Sequence, residues 1–148
     1  MNIKNIIGVN LKKIRLKNNF SCYHLAKCLG KTTGCITNIE TGARAPSLPL
    51  LFLMADFFQE DIRVFLTTKE LSSSTVVDWN KHWPSVGKNI VRIRKAKGIR
   101  QYALAQTLDI TVAFLCNIEN GKCLCSLPIL FSIAECLEVD ICDLFVLQ

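Results

Sequence analysis

Apolar residues return every three to four positions along much of this chain, with polar ones between them. Ile7, Leu11 and Ile14 alternate with Lys12, Lys13, Arg15 and Lys17, which predicts an amphipathic helix over residues 7–18. A second helix is expected from Ser21 through Leu25, Ala26 and Leu29, closed by a tight turn at Gly30. Thr32 then offers a capping hydroxyl to a third helix, in which Ile36 and Ile39 lie on one face. That face belongs to a core, so Thr33, Thr37 and Asn38 point outward, and Gly42 ends the helix. Ser47 caps a fourth helix that tolerates Pro49 in its first turn, and Asp61 caps a fifth over residues 62–66.

The same pattern then recurs. One constant shift superposes residues 7–66 on residues 86–145 without a gap. Arg15 meets Arg94, Leu25-Ala26 meets Leu104-Ala105, and Asn38-Ile39-Glu40 meets Asn117-Ile118-Glu119. Ser47-Leu48-Pro49 meets Ser126-Leu127-Pro128, and Asp61-Ile62 meets Asp140-Ile141. In the second third helix Thr111 is the cap, Leu115 and Ile118 face inward, Asn117 faces out, and Gly121 is the stop. Two copies are a duplicated domain, not a solenoid. The expected architecture is all-α: two tandem five-helix domains, residues 1–70 and 86–148, joined by a linker over 71–85. Within it, Ser72-Ser73-Ser74-Thr75 reads as loop. Thr75 and Asp78 resemble a capping pair for a short helix stopped by Pro84, with Trp79 and Trp83 as packing anchors at the domain junction.

Composition sharpens the picture. The 148 residues are half hydrophobic, yet the net charge is +6, which favours a polyanionic partner, nucleic acid ahead of a membrane surface. The longest apolar run, residues 48–55, is far short of the ~20 residues a spanning helix needs. The first residues lack the h-region of a secretory signal, so the expected compartment is the cytoplasm. There, eight cysteines are small hydrophobes and free thiols. Cys116, Cys123 and Cys125 form the one local cluster. Zinc prefers paired Cys-x2–4-Cys spacing with a fourth ligand, and neither His24 nor His82 lies nearby in sequence, so no metal or cofactor is expected.

Helix-turn-helix geometry requires a small residue where the second and third helices cross, supplied by Ala26 and Ala105. It also requires a sharp turn four residues later, at Gly30 and Asp109. With the Ile/Leu-x-Asn-Ile-Glu-x-Gly ending, each copy resembles the phage-repressor (Cro/CI, or Xre) helix-turn-helix family, over residues 7–66 and 86–145. The resemblance implies that the third helix enters the major groove of DNA. The base-reading positions it implies are Thr33, Gly34, Thr37 and Asn38 in one copy, and Val112, Ala113, Cys116 and Asn117 in the other. An Asn side chain matches the N6/N7 edge of adenine, and Val or Ala packs on a thymine methyl. It implies further that an Arg of the first helix pairs with the Glu ending the third, here Arg15 with Glu40 and Arg94 with Glu119, as a structural pair. Phosphate contacts fall on Gln101, Asn120 and Lys122. The first copy has Cys22 and Thr41 at two of those places, leaving Lys31 and Arg44.

The expected function is therefore a sequence-specific double-stranded DNA-binding transcriptional regulator of the repressor kind, inserting residues 32–41 and 111–120 into the major groove. The alternative is that one copy binds DNA while the other is a dimerisation or protein-interaction module, with a homodimer formed through the apolar fourth- and fifth-helix surfaces. An enzyme is not expected: no Ser/His/Asp or Cys/His set and no Gly-rich phosphate loop is present.

Overall fold

A computed structural model describes residues 2–71 and 75–147, all helix, turn and loop with no strand among them. The chain divides into two compact units, Met1–Val77 and Asp78–Gln148. The predicted Ser72-Ser73-Ser74 loop lies outside the described residues.

Unit 1 holds α1 (Ile3–Lys17), α2 (Cys22–Cys28), α3 (Thr33–Glu40), α4 (Leu48–Phe58) and the single turn α5 (Arg63–Leu66). Side-chain caps set most of the starts. Asn2, Ser21, Thr32 and Ser47 each accept a backbone N–H from the first turn of α1, α2, α3 and α4, respectively. The helices surround Ile7, Leu11, Leu25, Ile36, Leu51, Met54 and Phe65, all without measurable exposure. Asp61 is buried beneath α5, paired with Arg63 at 2.6 Å and accepting the Thr75 N–H at 2.8 Å, which ties the segment after α5 back to the unit. Burial disfavours charge on Asp61, but the hydrogen bonds from Arg63 and Thr75 outweigh it and hold the carboxyl below the usual carboxylate range.

Unit 2 holds α6 (Trp79–Ala96), α7 (Gln101–Thr107), α8 (Val112–Glu119), α9 (Leu127–Cys136) and a closing 3-10 turn, Ile141–Leu144. Two features depart from the sequence reading. The short helix expected to stop at Pro84 and the helix expected from residue 86 are one continuous α6, capped by Asp78. Pro84 forfeits one backbone hydrogen bond near the helix start. The continuous stripe of Trp79, Trp83, Val86, Ile90 and Ile93, every one buried, offsets that loss. Both tryptophans pack inside unit 2; Trp79 stands edge-on against Phe145, ring centres 5.0 Å apart. The fifth helix is likewise tighter than α5, wound as a 3-10 turn under a reciprocal Asp140/Asp143 capping box.

A buried asparagine closes each unit. Asn10 Nδ2 donates to the carbonyls of Phe65 and Thr67, and Asn89 Nδ2 to those of Leu144 and Val146. Each thus fastens the unit's last turn to its first helix, satisfying carbonyls that a helix end leaves open.

Candidate nucleic-acid interface

α2 and α3 in unit 1, and α7 and α8 in unit 2, each form a helix pair joined by a short turn. The turn residues Gly30 and Asp109 both take the left-handed conformation, φ 64° and 54°. Ala26 and Ala105 are buried beneath the pair. Thr32 Oγ1 accepts the Cys35 N–H at 3.2 Å and Thr111 Oγ1 the Phe114 N–H at 3.1 Å, so α3 and α8 begin on equivalent caps. Ile36 and Ile39, or Leu115 and Ile118, are driven into the core, and the opposite face is open.

That open face carries the expected reading residues. Thr33, Gly34, Thr37 and Asn38 are all exposed on α3, as are Val112, Ala113 and Asn117 on α8. Two of the polar groups are partly engaged at home. Thr37 Oγ1 donates to the Thr33 carbonyl at 3.0 Å, which leaves its oxygen as an acceptor. Cys116 is half-buried, and its sulfur accepts from Asn120 Nδ2 at 3.2 Å, bringing an expected reading residue onto an expected phosphate residue. Nothing lies within 4 Å of a Cβ built on Gly34, so the fold places no demand for glycine there.

The cations flank this face. Lys31 and Arg44 are exposed and meet across a cavity of about 240 Å³ that also touches Cys35, Ser47 and Leu50. Lys122 and Asn120 are exposed at the end of α8. Gln101, expected at a phosphate, donates its Nε2 to Glu119 Oε2 at 2.7 Å; in unit 1 the Cys22 thiol reaches Glu40 Oε2 at 3.8 Å from the same place.

Both α3 and α8 hang on a frame of hydrogen bonds and close contacts. Arg15 grips Glu40 with two parallel bonds, 2.5 and 2.9 Å, and sends its third nitrogen to the Phe20 carbonyl at 2.8 Å. Arg94 repeats this on Glu119, at 2.7 and 3.0 Å, with the Ile99 carbonyl at 2.9 Å. Such forks fix orientation as well as distance. The hydrogen bond to Glu40 raises the Arg15 pKa further, against the opposing effect of burial. Gly8 and Gly87 complete the frame, because a Cβ on either would collide with the carbonyl oxygens at the end of α3 or α8. Sequence reasoning passed over these glycines and the Asn10/Asn89 closures. The signal was available, since each is a non-apolar residue on a helix's inward stripe that recurs at the repeat shift.

Among the described residues no group of three or more His, Cys, Asp or Glu side chains gathers in a metal-holding arrangement. No helix there is long and apolar enough to cross a membrane. In comparisons with known proteins, no curated protein and no solved structure matches the chain. Residues 90–144, from the middle of α6 through the closing turn, do match a helix-turn-helix family model. That match, to a non-catalytic DNA-binding module, supports a DNA-binding, regulatory role in general for unit 2.

Proposed function

We propose that the chain is a sequence-specific double-stranded DNA-binding transcriptional regulator of the repressor kind, and that both α3 and α8 are readers. The observation that carries this is the frame. In each unit the same Arg–Glu fork and the same close glycine hold an exposed, Thr-capped helix at its C-terminal end. A helix presented so rigidly, with one polar face free, suits insertion into the major groove. Asn38 and Asn117 are assigned to adenine, Val112 and Ala113 to thymine methyls, and Thr33, Gly34, Thr37 and Cys116 to the remaining base-edge contacts. Lys31, Arg44, Asn120 and Lys122 are assigned to phosphates. Gln101 acts through Glu119, steadying the end of α8.

Selection of bound sequences from a random duplex pool tests this. The full chain should enrich a defined site, and binding should weaken steeply with salt as Lys and Arg displace counterions. Asn38→Ala and Asn117→Ala should each shift which sequences are preferred, by about 1–3 kcal/mol per contact. An unchanged preference in both would remove α3 and α8 as readers.

A second reading is favoured by one contrast between the units. Unit 1 exposes Leu16 and Leu53 and also carries a half-buried Phe20–Phe57–Phe58 cluster with ring centres 5.0–6.0 Å apart. At the repeat shift, unit 2 has Lys95, Ser132 and Cys136 in place of Leu16, Leu53 and Phe57. In this reading unit 2 alone binds DNA and unit 1 pairs with a second copy of the chain. Leu16→Lys with Leu53→Ser would then abolish dimers in sedimentation and leave the site preference intact.

A further inference from the structure

The loop after α8 is held in a way that its counterpart after α3 is not. Trp83 is buried in the first turns of α6, and its indole N–H donates to the Cys123 carbonyl at 2.9 Å. One residue on, Pro84 sits so close to Gly121 that a Cβ there would lie 2.7 Å from the proline Cα. Gly87 follows against the Ile118 and Glu119 carbonyls, and then Arg94 on Glu119. Trp83, Gly87 and Arg94 fall on one stripe of α6, so a single helix face grips both the end of α8 and the loop beyond it. In unit 1 the position of Trp83 is taken by Lys4, and the loop glycine, Gly42, abuts the Asn5 side chain.

The gripped loop carries Lys122. Its ammonium is exposed at an open cleft of about 250 Å³ bounded by Asn80, Lys81, Trp83, Pro84 and Gly121. Lys81 stands 3.8 Å from Asp78, a pair that is close to neutral together, which leaves Lys122 as the net charge of the cleft. A lysine already gives up rotamer freedom when it meets a phosphate, and a wandering backbone would add to that cost.

We infer that Trp83 is a positioning residue for DNA: by fixing the loop to α6 it sets the approach of Lys122 to a backbone phosphate. This rests on the reading of unit 2 as a DNA-binding domain. In the full chain, Trp83→Phe keeps a six-membered aromatic ring and removes the five-membered ring together with its N–H. It should weaken duplex binding by about the same factor as Lys122→Gln, and each should reduce the slope of log K against log salt by about 0.9. The double variant should bind no more weakly than Lys122→Gln alone, because the two act through one contact. Trp83→Phe that lowers urea resistance yet leaves affinity and salt slope unchanged overturns the inference and spares the reading of unit 2. Failure of the parent chain to bind any duplex overturns both. If Trp83→Phe does not fold, benzothienylalanine placed at position 83, which keeps the bicyclic ring and lacks the N–H donor, takes its place with the same expected losses of affinity and salt slope. Affinity and salt slope equal to the parent's overturn the inference.

Discussion

Glu40 and Glu119 each accept hydrogen bonds from an Arg fork and from a third side chain, Cys22 or Gln101, at the ends of α3 and α8. Removing one carboxylate leaves a guanidinium that is less than a tenth exposed without its counter-charge. Glu40→Ala or Glu119→Ala should therefore cost its own unit about 3–5 kcal/mol, read as a loss of urea resistance confined to that unit's transition. A variant as stable as the parent would show the fork to be incidental. Asp61 makes a different residue-scale prediction. Its carboxyl titrates lower in the folded chain than in the unfolded one, so its ionised form contributes stability in full above the unfolded carboxylate pKa. That contribution is lost as pH falls through the lower, folded value, and Asp61→Asn should flatten the acid limb of unit 1's stability profile. Among the thiols, burial pushes Cys125 up to about 12, with the neighbouring Cys123 adding to the rise. It should be alkylated far more slowly at neutral pH than the exposed Cys28, as a mass-spectrometric time course of the native chain would show.

Glycines separate two kinds of constraint at the scale of elements. Gly34 sits within α3 with open space around it, so Gly34→Ala should stabilise unit 1 by about 1 kcal/mol through helix propensity alone. Gly8 and Gly87 are also helical, yet Gly8→Ala or Gly87→Ala should destabilise by about 1–3 kcal/mol, since the new methyl forces the end of α3 or α8 away from the frame. Opposite signs for one chemical change, measured by urea unfolding, check both assignments. The helix starts were legible in the sequence because a cap is a local event: Ser21, Thr32, Ser47, Thr111 and Ser126 each bond a backbone N–H within three residues. α6 was not legible. A local rule stops a helix at Pro84, whereas its continuation depends on Trp83 meeting Cys123 and Trp79 meeting Phe145, contacts 40 and more residues away along the chain. The exposed faces of α3 and α8 could be read from periodicity. The diversion of Gln101 onto Glu119 could not, since nothing local says which polar group a long side chain will find.

For the whole molecule, the like arrangement of the two units makes each a control for the other. Neutralising Lys31, Arg44 or Lys122 should weaken binding to every duplex alike, whereas footprints of Asn38→Ala and Asn117→Ala in the full chain should lose protection over different stretches if both units read. Loss from Asn117→Ala alone would favour the reading in which unit 1 pairs chains. The exposed faces differ, Thr33-Gly34-Thr37-Asn38 against Val112-Ala113-Cys116-Asn117, so two reading units would recognise unlike half-sites. Covalent connection would then make the second contact intramolecular and raise the affinity of the whole above that of either unit. The Asn10 and Asn89 closures bear on how such a chain comes to exist. Each bridges 55 residues or more, so no unit is complete until its last turn has left the ribosome. The two closures are chemically alike, and the Asn10 amide could donate to the carbonyls of either end segment. Synthesis from the N-terminus delivers Phe65 and Thr67 to Asn10 while Leu144 and Val146 are still unmade. Order of synthesis would then, ahead of selectivity of contact, keep two like units from exchanging their end segments.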